Sequence, residues 1–228
     1  IGSSKCSKPY SASILNLAGM SYGSISKNAT LALNGGAKIA GFAQNTGEGG
    51  FTPYHQEYGA DIIFQFGTGY FGCRTEEGNF DPKKFVEIAS NEVVKMIEIK
   101  VSQGAKPGFG AILPAKKNTE EIAKYRDVEK GTEILSPPHH AAFGTDLEMV
   151  AFIQELRKLS AGKPIGIKMC IGQQDEFERM VRIFAEKQNY PDFIAIDGAE
   201  GGSGAAHMES LHWAGMPIIE IFFFFNSI

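Results

Sequence analysis

Apolar and polar positions along this chain come in blocks. Five short apolar runs each meet a polar residue and give way to glycine: Ile14-Leu15-Asn16-Leu17-Ala18-Gly19, Gly41-Phe42-Ala43-Gln44-Asn45-Thr46-Gly47, Ile62-Ile63-Phe64-Gln65-Phe66-Gly67, Ile165-Gly166-Ile167-Lys168-Met169 and Phe193-Ile194-Ala195-Ile196-Asp197-Gly198. Continuous apolar runs of this length read as strands buried on both faces, the signature of a parallel sheet. A polar side chain at the end of such a strand is costly unless it finds a partner. In parallel α/β folds ligands sit at the carboxyl ends of the strands. The pattern therefore predicts one edge lined by Asn, Gln, Lys and Asp and floored by glycine.

Helical periodicity fills the intervals. Ser24 to Ala37 reads as a helix broken near Gly35-Gly36, and Asp81-Pro82 is a helix start, Asp as cap and Pro in the first turn. Between Val93 and Val101 the alternation Ile97, Ile99, Val101 favours a strand. Asn118 opens a short helix through Tyr125. Thr145 and Glu148 form a capping box before a helix with Met149, Phe152, Ile153 and Leu156 on one face. Gln174 to Lys187 places Phe177, Met180, Val181 and Phe184 on another. Strands alternating with helices imply a parallel sheet. About six strands fit a TIM (β/α)8-type barrel truncated before its end, since an intact one takes about 250 residues and eight strands. With no linker and no repeat, residues 1–228 read as a single domain whose C-terminal barrel part is missing. The apolar end, Pro217 to Ile228, has to pack against that remainder or another chain, and a homo-oligomer is one way to cover it.

Composition narrows the classes. The 228 residues are 43% hydrophobic and 21% charged, with net charge -4 and no basic block, which argues against a nucleic-acid surface. No stretch approaches the roughly 18 apolar residues of a membrane span, and Ile1 to Pro9 is not a signal peptide. Cys6, Cys73 and Cys170 are dispersed, giving neither metal spacing nor a disulfide framework, so the expected compartment is a reducing cytoplasm.

Several residues carry candidate chemistry. Lys168, inside an apolar run, must meet a negative group: an internal Asp or Glu, an anionic ligand, or, as a Schiff-base lysine, a carbonyl substrate. The loop Asp197-Gly198-Ala199-Glu200-Gly201-Gly202-Ser203-Gly204 holds more glycine than one turn needs, which points to close backbone approach by a ligand. It lacks the lysine and hydroxyl residue of a P-loop. In Asn45-Thr46-Gly47-Glu48-Gly49-Gly50, Glu48 reads as a base, a ligand partner or a solvated loop charge, and alone it reads best as the last. Gln65 presents a two-way amide suited to a ring edge, or to a satisfied core position. His139-His140 reads as a pair near an anion or at the surface, and no zinc spacing supports a metal. The triplet Asn28-Ala29-Thr30 falls in a predicted helix and is discounted as a glycosylation site.

Six motifs in order resemble the FMN-binding domain of the glutamate synthase family: Leu17 to Ser26, Asn45 to Gly50, Gln103 to Gly108, Ser136 to His140, Gly166 to Lys168 and Asp197 to Ala205. The stretch Ala105 to Lys116, with Phe109 and Ala111, looks closest to stand-alone FMN-binding glutamate synthase-like proteins. The resemblance implies a TIM barrel carrying FMN at its strand ends, and an oxidoreductase that reduces 2-iminoglutarate, formed from 2-oxoglutarate and ammonia, to L-glutamate. FMN then does the hydride chemistry while the protein binds and tunes it. It implies that Ala18, Gly19, Met20 and Ser21 press on the ring and that Asn45 and Gln65 bond its polar edge. Lys168 would favour the anionic reduced flavin, and Asp197, Gly201, Gly202 and Gly204 would line the ribityl chain and substrate pocket. Lys168 and Glu48 are the catalytic candidates. Family members continue into further βα units holding the FMN phosphate, then into cysteines for a 3Fe-4S cluster that this chain does not carry. Electrons would come from a donor such as ferredoxin or a reductase subunit. The competing readings are a truncated, non-catalytic barrel fragment and an aldolase-type barrel using Lys168.

Overall fold

The computed structural model describes residues 1–106, 110–202, 206, 208–210 and 213–225. Its frame is a curled parallel sheet of five strands: β1 (Gln44–Asn45), β2 (Ile62–Phe66), β3 (Val94–Lys100), β6 (Ile165–Cys170) and β7 (Phe193–Asp197), in the order β1-β2-β3-β6-β7. A two-stranded antiparallel ribbon, β4 (Ile112–Leu113) with β5 (Ile134–Leu135), rises from the excursion between β3 and β6. Six helices are described: α1 (Lys27–Ala40), α2 (Pro82–Ala89), α3 (Glu120–Arg126), α4 (Asp146–Leu159), α5 (Gln174–Lys187) and α6 (Ile218–Phe225).

The period-2 geometry of strands sorts the sheet into two unlike faces. Phe64 and Phe66 of β2, Ile97 and Ile99 of β3, and Ile165 and Ile167 of β6 face the helices. There they pack on Phe85 of α2, Ile153 and Leu156 of α4, Phe177 and Met180 of α5, and Ile221 and Phe224 of α6. The opposite, concave face begins apolar at the amino ends, where Ala43, Ile63 and Met96 meet Tyr10, Ala12 and Phe193. It turns polar toward the carboxyl ends. Register aligns Gln65 with Glu98, Glu98 with Gly166, and Lys100 with Lys168.

Several elements differ from the sequence expectation. The first predicted strand, Ile14 to Gly19, is reduced to one bridge between Leu17 and Gln44. Asn16 takes the backbone partners a ladder would use: its Oδ1 accepts from the Ala43 N–H and its Nδ2 donates to the Ser13 carbonyl. Ile14 and Leu15 consequently lie in solvent. The parallel sheet therefore has five described strands, where about six were expected. Helix α1 is continuous through Gly35-Gly36. A side chain at Gly35 would meet the Tyr58 ring at 3.3 Å, so that glycine serves packing. Caps at both ends, Ser26 accepting from Ala29 N and Gly41 at φ +72, hold the helix against a propensity cost of about 1 kcal/mol per glycine. Thr119 caps α3 in place of Asn118, whose amide donates instead to the carbonyls of Glu129 and Thr132. Thr145 caps α4, but the Glu148 carboxylate reaches one residue further back, to Gly144 N–H at 2.8 Å. Among the described residues no helix is long and apolar enough to cross a membrane.

Candidate active site

The polar half of the concave face is built in two tiers. In the lower tier Glu98 Oε1 accepts from Gln65 Nε2 at 2.6 Å and from Asn45 Nδ2 at 2.8 Å, and all three side chains are buried. The second amide atom of Asn45, Oδ1, accepts from the Gly47 N–H at 2.9 Å. The loop Ala18-Gly19-Met20-Ser21 lies over these amides. A Cβ on Gly19 would stand 3.0 Å from both Asn45 Oδ1 and Gln65 Nε2. Gly47, at φ +66, approaches Ser21 so closely that a Cβ would be 2.5 Å from its main-chain nitrogen. Ala18 and Met20 are exposed, and Ser21 is half-buried.

The upper tier is charged. Lys100, the last residue of β3, donates from Nζ to Glu48 Oε1 at 2.5 Å and to Gln103 Oε1 at 2.6 Å. Glu48 is buried and packs over Gly67 at the end of β2, where any Cβ would collide with its Oε2. It is no solvated loop charge. Burial pushes its carboxyl up, but Lys100, with Lys106 and Arg126 behind it, outweighs that and holds it below the usual carboxylate range. Lys106 is buried, and burial, with the Lys100 charge beside it, lowers its ammonium. Arg126 is also buried and lowered by burial; its Nη2 donates to the Tyr22 carbonyl at 3.1 Å, while its Nε has no partner among the described residues.

Lys168, the other member of the Lys100 register pair, meets Asp197 Oδ1 at 3.4 Å. Of the partners expected for Lys168, the internal carboxylate is the one in contact. Gly201 lies against the Asp197 carboxylate, where a Cβ would be 2.8 Å away. The Asp197-to-Gly202 loop is laced to the segment after β3: Ala105 N donates to Gly201 O at 2.8 Å and Gln103 Nε2 to Gly202 O at 3.3 Å. Gly202 adopts φ +77, a conformation that favours glycine. Gly204 lies outside the described residues.

Gln65 and Lys168 thus share the concave face, one tier apart. Glu98, Lys100 and Arg126 were not singled out by sequence, and Gln103 and Lys106 entered only as members of the Gln103-to-Gly108 motif, with no role of their own. Glu98 and Lys100 hide in the parity opposite to Ile97, Ile99 and Val101, and reading Met96, Glu98, Lys100 as a second face would have exposed them. His139 is exposed, but His140 is buried, bonded to Tyr70 Oη and to the Lys100 carbonyl, and so is not at the surface. Among the described residues no group of three or more His, Cys, Asp or Glu is arranged to hold a metal ion.

Buried carboxylates, amides and cations gathered at the carboxyl ends of a curled parallel sheet define an α/β protein with a candidate site where such folds hold ligands. The chain belongs to the glutamate synthase family: the model of the conserved region in glutamate synthase matches residues 4–222. It is 40% identical over 221 residues to the glutamate synthase large subunit-like protein YerD of Bacillus subtilis, covering 96% of this chain and 42% of the relative. It is 36% identical to the archaeal-type glutamate synthase (NADPH) of Thermotoga neapolitana and 36% identical to the archaeal glutamate synthase (NADPH) of Archaeoglobus fulgidus, in each case over 87% of this chain and 36% of the relative. The chain therefore spans less than half the length of these relatives.

Proposed function

We propose that residues 1–228 form one FMN-binding unit of a TIM-type barrel, and that its site reduces 2-iminoglutarate, formed from 2-oxoglutarate and ammonia, to L-glutamate. Family membership supports the reaction class. The observation that carries the site is the two-tier concave face, with amides below and cations above. The donor set supports a flavin there: Gln65, Asn45 and Lys168 can offer polar contacts to a pyrimidine edge. Gly19 and Gly47 let the Ala18-to-Ser21 loop close down on Asn45 and Gln65, where a Cβ would crowd their neighbours. Bound there, FMN would supply the hydride for the C=N bond.

The chain's own residues then divide the remaining work. Arg126, buried with its Nε unpartnered, and Lys106, buried beside Lys100, orient the substrate carboxylates. Lys100 adds a third cation, fixed by Glu48, which stays ionised and acts as counter-ion. Lys168 pairs with Asp197 and presents its ammonium to the ring edge. Electrons would be delivered by a donor such as ferredoxin or a reductase subunit. The direct test is titration of the purified chain with FMN, read by flavin fluorescence, followed by 2-oxoglutarate. Saturable quenching at one FMN per chain, tightened or perturbed by 2-oxoglutarate, is expected. A protein that neither carries nor takes up FMN overturns the proposal.

A further inference from the structure

Two residues outside the ligand-facing set deserve a role. Tyr70 stands in the turn after β2, fully buried, with φ +49. That left-handed conformation is uncommon for a bulky side chain and persists only where the surroundings over-determine it. Main-chain bonds from Tyr70 N–H to Gly67 O at 3.0 Å and from Cys73 N–H to Tyr70 O at 2.8 Å hold the backbone, and a directed chain of hydrogen bonds holds the side chain. The Ala142 N–H donates to Tyr70 Oη at 3.0 Å, and Tyr70 Oη lies 3.0 Å from His140 Nδ1. His140 Nε2 lies 2.9 Å from the Lys100 carbonyl.

Donor and acceptor arithmetic fixes every proton in this chain. A carbonyl oxygen only accepts, so His140 Nε2 carries hydrogen. Burial holds the imidazole down to about 4, so near pH 7 it is neutral and has one ring proton. Nδ1 is therefore the acceptor, and the Tyr70 hydroxyl donates to it. The ring is further pinned by stacking on Phe143 at 4.7 Å. The chain ends on the residue whose ammonium lies between Glu48 and Gln103.

We propose that Tyr70 and His140 are positioning residues. As the Nε2–H tautomer, His140 holds the Lys100 main chain at the height where its ammonium meets Glu48 and Gln103, and Tyr70 locks that tautomer. The inference deepens the proposed function, because it takes Lys100 as part of the substrate site. It differs from a packing role in one respect: packing alone requires a ring at 140, whereas positioning requires a donor toward the Lys100 carbonyl.

The test has two arms on the full chain. Nitrogen-15 NMR of His140 should show a protonated Nε2 and an acceptor Nδ1 near pH 7; the opposite tautomer or a cation overturns the proposal. In the second arm the Glu48 carboxyl is titrated by carbon-13 NMR in Tyr70→Phe, His140→Leu and His140→Gln. The charged and titratable groups facing Glu48 are Lys100, Lys106, Arg126 and His140 itself, which is neutral near pH 7, and loosening Lys100 alone should raise the Glu48 midpoint, with Tyr70→Phe the variant that leaves all four in place. Tyr70→Phe and His140→Leu are expected to raise it, and His140→Gln, whose amide can donate to the same carbonyl, to restore it. If His140→Leu fails to fold, Tyr70→Phe against wild type decides. A melting temperature that falls while the Glu48 midpoint stays put overturns the proposal. 2-Oxoglutarate binding to Tyr70→Phe, expected to be about tenfold weaker, separates the two claims: no binding by wild type would defeat the proposed function, while the Glu48 titration still decides this one.

Discussion

The two ends of one sheet treat buried charge in opposite ways. At the amino end, Asp192 just before β7 accepts from Arg157 Nη2 at 3.0 Å, from Ile165 N–H at 2.9 Å and, on its other oxygen, from Ser3 N–H at 2.6 Å. Arg157 also donates to Asn189 Oδ1 and to the Tyr190 carbonyl. Arg157, Asp192, the Asn189 amide and main-chain groups bond to one another, with the Arg157 Nε left unpartnered among the described residues, and the aspartate side chain is 0% exposed. At the carboxyl end Lys100, Lys106, Lys168 and Arg126 face Glu48, Asp197 and the amide-held Glu98, and the closest pairs retain some exposure, 13% and 21% for Lys168 and Asp197. A cation paired with its own anion ties segments together. A set of cations that outnumbers its carboxylates is what the proposed site would use to take an anion.

The largest expected effect lies at the neutralised end. Asp192→Ala leaves the Arg157 guanidinium buried without its anion, and losing one member of a buried pair costs about 3–5 kcal/mol. Urea denaturation should show that loss, whereas an Asp192→Ala chain that still folds should bind FMN like wild type. Near-wild-type stability would break the contrast.

The second effect is pH dependence. Burial lowers both His55 and His140 to about 4. An imidazole depressed in the folded state favours folding above its unfolded value of about 6.5. That contribution is lost as pH falls from there toward about 4, because the unfolded chain takes up the proton first. Glu48 and Asp192, both held below the usual carboxylate range, extend the loss to lower pH. Burial acts against each of them, and what overcomes it is Lys100 at Glu48 and, at Asp192, the Ile165 and Ser3 N–H groups together with Arg157. With two histidines the slope reaches at most about 2.7 kcal/mol per pH unit. Urea midpoints measured from pH 7 to 4 should fall monotonically, and a flat profile would show that the histidines are not buried neutral.

How far the contrast could be read from sequence depended on parity and distance. Gln65, Lys168 and Asp197 were legible because each interrupts an apolar run, and a buried polar group needs a reason. Glu98 and Lys100 were not, because Ile97, Ile99 and Val101 supply a convincing strand face of their own. Ile14-Leu15 looked like a strand by hydrophobicity, yet Asn16 diverts the backbone bonds a strand would need. Glu48 seemed a solvated charge because its burial depends on Gly67 and Lys100, distant in sequence. His140 seemed superficial because only the fold brings Tyr70 and the Lys100 carbonyl to it. The amino-end pair was not singled out at all: Arg157 sits on a helix and Asp192 in a loop, and only the fold brings them together.

The smallest stability effect should accompany a large binding effect. Lys168→Met keeps the aliphatic length of the side chain on the concave face and leaves Asp197 partly solvated. The pair keeps some solvent contact, 13% and 21% side-chain exposure, where Asp192 has none, so the urea midpoint should move less than in Asp192→Ala. The lost cation faces the ligand, however, and a charge-assisted contact of about 1.5–3 kcal/mol corresponds to roughly tenfold to a hundredfold weaker FMN binding. A variant that binds FMN normally but unfolds easily would show the Lys168–Asp197 pair to be a structural tie like Arg157–Asp192, and the two ends of the sheet would cease to differ in kind.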